Sequence, residues 1–275
     1  MSQHADKNTH LYRWLTAIIG VPVAVYVIGP GPRWAFCMLI CFVSLAGLAE
    51  FYGITAPRLP RTVRWCNYLL SLILFLVIFK GEAYFIPAVI VLWALIPMTF
   101  FMLTHRTPDQ QKTIDIAKAL FGPVYVCLPL AMLLTIDRYP NGNLWIFFLL
   151  SVIFAGDTGA FYIGRRFGKH KLYKAISPKK TWEGAIGGLL SSLVAALIFL
   201  HLLPVHRLNS NILILVVALS VTAQIGDLAE SMLKRNHGTK DSGRILPGHG
   251  GILDRIDGLI FSIPILYMYV SFCKV

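Results

Sequence analysis

The sequence predicts an all-α, polytopic transmembrane protein of about nine spans, with the N-terminus cytoplasmic and the C-terminus periplasmic. Three observations predict it. Of 275 residues, 56% are hydrophobic and only 14% charged, and the mean hydropathy is +0.67, whereas soluble domains carry about a quarter charged residues. Apolar windows close to the roughly 20 residues that a helix needs to cross a bilayer recur along the whole chain. Lys and Arg gather on alternate loops, the positive-inside pattern.

The windows run approximately over 14–30, 34–54, 66–80, 84–104, 116–136, 144–165, 183–203, 211–233 and 252–273. The first ends in Gly29-Pro30-Gly31-Pro32 with no small-residue cleavage site, so it reads as an anchor and not as a signal peptide. The third is the shortest, closing at Lys80 just before a new apolar run opens at Tyr84, and eight spans is the rival count. The cations decide for nine. With the N-terminus inside, only Arg33, Lys80, Arg138, Arg207 and Lys274 of the 25 Lys and Arg residues fall outside, and merging two spans spoils that division.

The formal charge of +12 does not indicate nucleic acid, because the cations sit in short loops beside spans and no basic domain carries them. Anionic lipid and anionic substrates are the partners this arrangement suits. The five cysteines lie in or beside apolar spans without metal-like partners, which makes them small core residues and not a zinc or disulfide framework.

From about residue 150 the chain changes character. Residues 1–143 read as an N-terminal transmembrane scaffold of five spans. Residues 144–275 read as a C-terminal catalytic region of four spans with two polar cytoplasmic loops. A charged side chain within a span costs at least about 2.5 kcal/mol on insertion scales, so it faces the protein and has a task there. Asp157 in the sixth span, Asp227 and Glu230 in the eighth, and Asp254 and Asp257 at the start of the ninth all carry this cost. Glu50, isolated in the second span, reads as structural. Asp227, Glu230 and Lys234 are spaced i, i+3 and i+7, and Asp254 and Asp257 i, i+3, so each set shares a helix face. Taken alone, such pairs are equally ligands for Mg²⁺ or partners for Lys234, Arg235 and Arg255.

The loop Asn236–Gly251, NHGTKDSGRILPGHGG, shifts that balance. Gly243, Gly248, Gly250 and Gly251 permit close backbone approach to an anion, and the run Gly248-His249-Gly250-Gly251 leads into a helix N-terminus with free N–H groups. Lys240 and Arg244 add cations. The second loop holds Ser177-Pro178-Lys179-Lys180-Thr181-Trp182-Glu183-Gly184, in which a proline-fixed turn delivers two lysines to a new helix. Thr181 is placed to cap that helix and Glu183 to favour its first turn. Arg165, Arg166, Lys169, Lys171 and Lys174, in the same loop, are assigned largely to topology and headgroup contact. The chain has no G-x-S-x-G elbow, no Cys–His pair and no H-E-x-x-H helix. Carboxylates, cations and a glycine loop suit transfer at phosphorus, where positioning and charge stabilisation do most of the work.

Ser231-Met-Leu-Lys234-Arg235, Lys240-Asp241 and Pro247-Gly248-His249-Gly250-Gly251-Ile-Leu-Asp254-Arg255-Ile-Asp257 together closely resemble the signature of phosphatidate cytidylyltransferases, also called CDP-diacylglycerol synthases. The segments Ser177–Gly184 and Asp157-Thr-Gly-Ala resemble that family too. The resemblance implies that CTP and phosphatidate give CDP-diacylglycerol and pyrophosphate, with a divalent metal required. It also implies a bacterial inner membrane and a homodimer. On this view Asp227, Asp254 and Asp257 hold Mg²⁺, with Asp157 and Asp241 as second-rank ligands. One metal or two, with or without K⁺, stays open. Lys234, Lys240, Arg235, Arg255, Ser177, Lys179 and Lys180 meet the phosphates, and Arg244 with the Gly248–Gly251 run wraps the anion. An ion-coupled transporter is the rival from another class. It predicts polar groups through the midplane of both halves, whereas here they cluster at one face.

Overall fold

The computed structural model describes residues 18, 20–105, 107, 109–203, 205–243 and 250–273, the side chain of residue 273 excepted. Among these, eight helices are long and apolar enough to cross a membrane: α1 (Arg33–Thr55), α2 (Arg61–Lys80), α3 (Ile86–Thr104, extended by a 3₁₀ turn at Ala83–Phe85), α4 (Gln110–Ile136), α5 (Gly142–Phe167), α6 (Trp182–Leu202), α7 (Ser210–Asn236) and α8 (Leu253–Cys273). They coincide with eight of the nine expected spans. The doubtful third window is a full 20-residue helix, because its first turn uses polar residues from Arg61 onward that a hydropathy window trims away. Of the first window, residues 20–28 are helical, and its start lies outside the described residues. The protein is a multi-pass membrane protein.

Between α5 and α6 the chain departs from all-α. Strands β1 (Lys171–Tyr173) and β2 (Ser177–Thr181) pair antiparallel, Lys171 opposite Thr181 and Tyr173 opposite Ser177. Pro178, read as a turn residue, lies within β2, which a ribbon tolerates because both strands are edges and a missing N–H can face outward.

Chain contacts divide the protein into two compact units, residues 1–134 with 241–254 and residues 135–240 with 255–275. The first is held by a buried polar knot among α1, α2 and α4. Tyr52 donates to the carbonyl of Ala119 at 2.8 Å, and Asn67 donates to Tyr52 Oη at 2.7 Å and to the same carbonyl at 2.9 Å. These bonds satisfy groups that lipid cannot. Leu48, Phe51, Phe75 and Trp93 are fully buried in this unit.

In the second unit, small residues bring α5 and α6 into backbone contact. A side chain at Gly188 would place its Cβ 2.9 Å from the carbonyl oxygen of Gly156, and one at Gly187 would meet Ile163 at 2.5 Å. Ser192 of α6 donates to the carbonyl of Val152 at 2.8 Å. Small-residue seams of this kind let membrane helices associate through close packing when no hydrophobic driving force acts between them. Gln224 ties α7 to α6 through the carbonyl of Ala185 at 3.2 Å, and Ser262 ties α8 to α7 through that of Leu219 at 3.1 Å. At Gly226 an added Cβ would lie 2.5 Å from the carbonyl oxygen of Asp257, so α7 and α8 touch where their carboxylates emerge.

Gly188→Leu is expected to lower stability by about 1–3 kcal/mol, since backbone at Gly156 cannot move aside cheaply. Gly53→Ala, at a helix position with nothing within 4 Å of the new Cβ, is expected to hold or raise stability by up to about 1 kcal/mol. Thermal unfolding of the two variants in detergent checks both outcomes, and equal effects would refute the seam.

Candidate active site

The second unit gathers four charged groups from four elements: Asp157 of α5, Lys180 of β2, Asp227 of α7 and Asp257 of α8. Lys180 Nζ lies 2.6 Å from Asp227 Oδ2. Asp157 interacts electrostatically with Asp227 and Lys180, and Asp257 with Asp227, Asp157 and Lys234. Each member is placed by a local cause. Gly226 lets α7 approach α8, which sets Asp227 against Asp257. The α5–α6 seam sets Asp157 beside the ribbon that carries Lys180. The ribbon itself is fastened to the start of α6. Thr181 accepts from the Gly184 amide at 3.1 Å, and Glu183 accepts from the His170 amide at 3.2 Å and pairs with His170 Nδ1 at 2.6 Å. The cap and first-turn roles expected of Thr181 and Glu183 are thus both present.

Asp157, Lys180 and Asp227 border a cleft of about 690 Å³, and Asp257 stands next to them through its interaction with Asp157 and Asp227. Arg165, Lys171, Lys179 and Lys180 supply its cations and Asp157 and Asp227 its carboxylates, while Ala160, Phe161, Leu172 and Ala185 add apolar lining. A cavity lined by both charged groups and hydrocarbon suits an amphipathic anion. Sequence reasoning missed Gln224, which lines the cleft while bridging α7 to α6. An amide inside an apolar span was the available signal. Arg165 and Lys171, assigned to topology, also border the cleft.

The other expected site residues lie as follows. Lys234 forms an ion pair with Glu230 one turn before it, both side chains nearly buried. Arg235 donates to the Thr239 carbonyl at 3.2 Å. Lys240, Asp241 and Arg255 are exposed. Ser177 pairs with Tyr173 at the turn end of the ribbon, away from the residues that border the cleft. Arg244, Gly248 and His249 lie outside the described residues.

Asp254 belongs to the first unit and is engaged there with the glycine loop. Its Oδ2 accepts from the amides of Ser242 and Gly251, both at 3.0 Å. Glu50 Oε1 accepts from the Ile252 amide at 3.1 Å, and Oε2 from the Leu253 amide at 2.8 Å and the Ser242 hydroxyl at 3.0 Å. The amides of Gly251, Ile252 and Leu253, expected to be open to a substrate phosphate, are therefore bonded to carboxylates of the chain itself. An apolar surrounding leaves a buried N–H no other partner, so an internal anion satisfies it.

Among the described residues no three His, Cys, Asp or Glu side chains already stand in a metal-binding arrangement. The donor set nonetheless fits a hard cation. Asp157, Asp227 and Asp257 offer oxygen only, and Mg²⁺ is commonly held by one or two carboxylates completed by water and substrate phosphates, with no all-protein cage.

Residues 11–273 match the cytidylyltransferase family. The chain is 34% identical over 258 residues to the phosphatidate cytidylyltransferase of Staphylococcus epidermidis, covering 92% of this chain and 96% of that protein. It is 36% identical over 259 residues to that of Staphylococcus haemolyticus and 34% identical over 259 to that of Staphylococcus aureus strain COL, with the same coverage. A match this long takes in every span that builds the charged cleft, and the chain belongs to the cytidylyltransferase family.

Proposed function

We propose that the protein is a phosphatidate cytidylyltransferase, which transfers CMP from CTP to phosphatidate and releases pyrophosphate. The observation that carries this reading is the gathering of Asp157, Asp257 and Lys180 around Asp227 at a cleft lined by both cationic and apolar side chains. A water-soluble triphosphate and a lipid phosphate together need both polar and apolar lining. The names of the relatives support the choice of CTP and phosphatidate.

In the proposed reaction a phosphate oxygen of phosphatidate attacks the α-phosphorus of CTP in line. One P–O bond forms as the bond to the β-phosphate oxygen breaks, and that oxygen leaves with its electron pair as part of pyrophosphate. The nucleophile is already anionic, so the chain need supply no strong base. Lys179, Lys180, Arg165 and Lys171 neutralise the phosphates as they crowd together, and the apolar walls receive the start of the acyl chains. Asp157, Asp227 and Asp257 would hold Mg²⁺, which when bound neutralises the triphosphate and polarises the reacting phosphorus. Lys180 balances Asp227 and moves to substrate oxygens as the cleft fills. The distribution of Lys and Arg supports a cleft on the cytoplasmic side of a bacterial inner membrane. The family resemblance supports a homodimer as the working unit.

The purified protein in lipid vesicles, given labelled CTP and phosphatidate, is expected to form a CDP-lipid with Mg²⁺ and none once EDTA is present. No CDP-lipid with any divalent cation overturns the reading.

Asp227→Asn and Asp257→Asn are each expected to lower kcat by at least about a hundredfold, the scale lost when a preorganised charge-stabilising group is removed. Lys180→Ala is expected to raise the KM for substrate as well as lowering kcat. Lys174→Ala, on the ribbon but not bordering the cleft, is expected to stay within about threefold of the parent, a change on the scale of a surface substitution. Near-normal turnover by either Asn variant would remove that carboxylate from the site.

A further inference from the structure

Glu50 is a buried carboxylate that the proposed chemistry does not use. It projects from α1, 6% exposed, into the loop that precedes α8. Its two oxygens receive three hydrogen bonds, from Ser242 Oγ at 3.0 Å, Ile252 N at 3.1 Å and Leu253 N at 2.8 Å. Two of these donors are free amides at the start of α8, where the helix dipole favours a negative charge. The third donor, the Ser242 hydroxyl, also accepts from the Asp254 amide at 3.3 Å. Asp254 in turn holds the amides of Ser242 and Gly251. Glu50 and Asp254 thus close a ring of hydrogen bonds around the two ends of the loop.

Two of the loop's glycines are explained by the same carboxylate. A Cβ at Gly243 would lie 2.6 Å from the Glu50 carboxyl carbon. One at Gly251 would lie 2.7 Å from the Gly243 amide nitrogen and would meet Ser242 Oγ and Glu50 Oε2. These positions need hydrogen because a resident carboxylate fills the space. Their role as open cradle for a substrate anion is not required to account for them.

We propose that Glu50 is a positioning residue of the transfer reaction, an internal anion that fixes residues 242 and 251–254 at the start of α8, the helix that carries Asp257. The role in the reaction rests on the cytidylyltransferase reading, but the hydrogen-bond ring does not. A carboxylate is required because all three partners donate. Glutamine offers one accepting oxygen in place of two and turns an NH₂ toward donors that already point inward.

The test uses the full chain in lipid vesicles. Glu50→Gln is expected to lower kcat by about tenfold or more, as loss of an outer-layer partner does, while the KM for CTP moves by less than about threefold because no substrate contact is removed. Glu50→Asp, which keeps the charge, is expected to recover part of kcat. Hydrogen exchange of the amides of residues 251–253 is expected to quicken in Glu50→Gln. Wild-type kcat per folded molecule, or unchanged exchange at those amides, overturns the proposal. Where Glu50→Gln loses cooperative unfolding, Ser242→Ala decides on the same two readouts. It removes the hydroxyl that links Glu50 to Asp254 and leaves the carboxylate, and no change in either readout overturns the proposal. Absence of CDP-lipid from the parent chain defeats the activity reading, and Glu50 is then judged on exchange alone.

Discussion

The contact on which the second unit depends is the backbone approach of α5 and α6 at their small residues. Lipid tails are as apolar as leucine, so these helices gain little from burying hydrocarbon and associate through close packing and hydrogen bonds. Gly156, Gly187 and Gly188 bring the backbones together, and Ser192 locks them by donating to Val152. Asp157 on one helix and the ribbon leading into the other are thereby held at one place. The ribbon could not carry Lys180 to Asp227 if α6 began at another depth or angle.

A second constraint, the demand of every buried backbone group for a partner, shapes the first unit. The start of α8 exposes amides that water cannot reach, and Glu50 with Asp254 satisfies them. The same rule accounts for the knot of Tyr52, Asn67 and the Ala119 carbonyl. In both cases a polar side chain in an apolar span exists to meet backbone demand. The charged cleft follows a different rule, since the Lys180–Asp227 pair remains partly open and its members can exchange partners with an incoming anion.

Much of this was legible from residues alone. Hydropathy located eight helices to within a few residues and came closest to failing at the third, where polar residues at the start of α2 dilute the window. Thr181 and Glu183 were legible because capping is a local preference that three residues encode. The pairing of β1 with β2 was not, because three residues around Leu172 and five around Pro178 carry no alternating pattern. Helical spacing placed Asp254 and Asp257 on one face of α8, but spacing within a helix does not say which neighbours a face meets. Asp254 turned toward its own loop, and Asp157, ranked second, joined Asp227 and Asp257.

The sequence by itself determined that this chain crosses a membrane many times, that most carboxylates read within its spans and eight of its twelve lysines lie after residue 150, and that its signature is that of a cytidylyltransferase. Those properties reside in composition, local spacing and short motifs, which survive in an unfolded chain. Only the tertiary structure decided which carboxylates share a cleft and which satisfy backbone. That choice is made by packing between helices distant in sequence, through glycines at 156, 188 and 226 and a glutamate at 50, about 200 residues from the amides it holds.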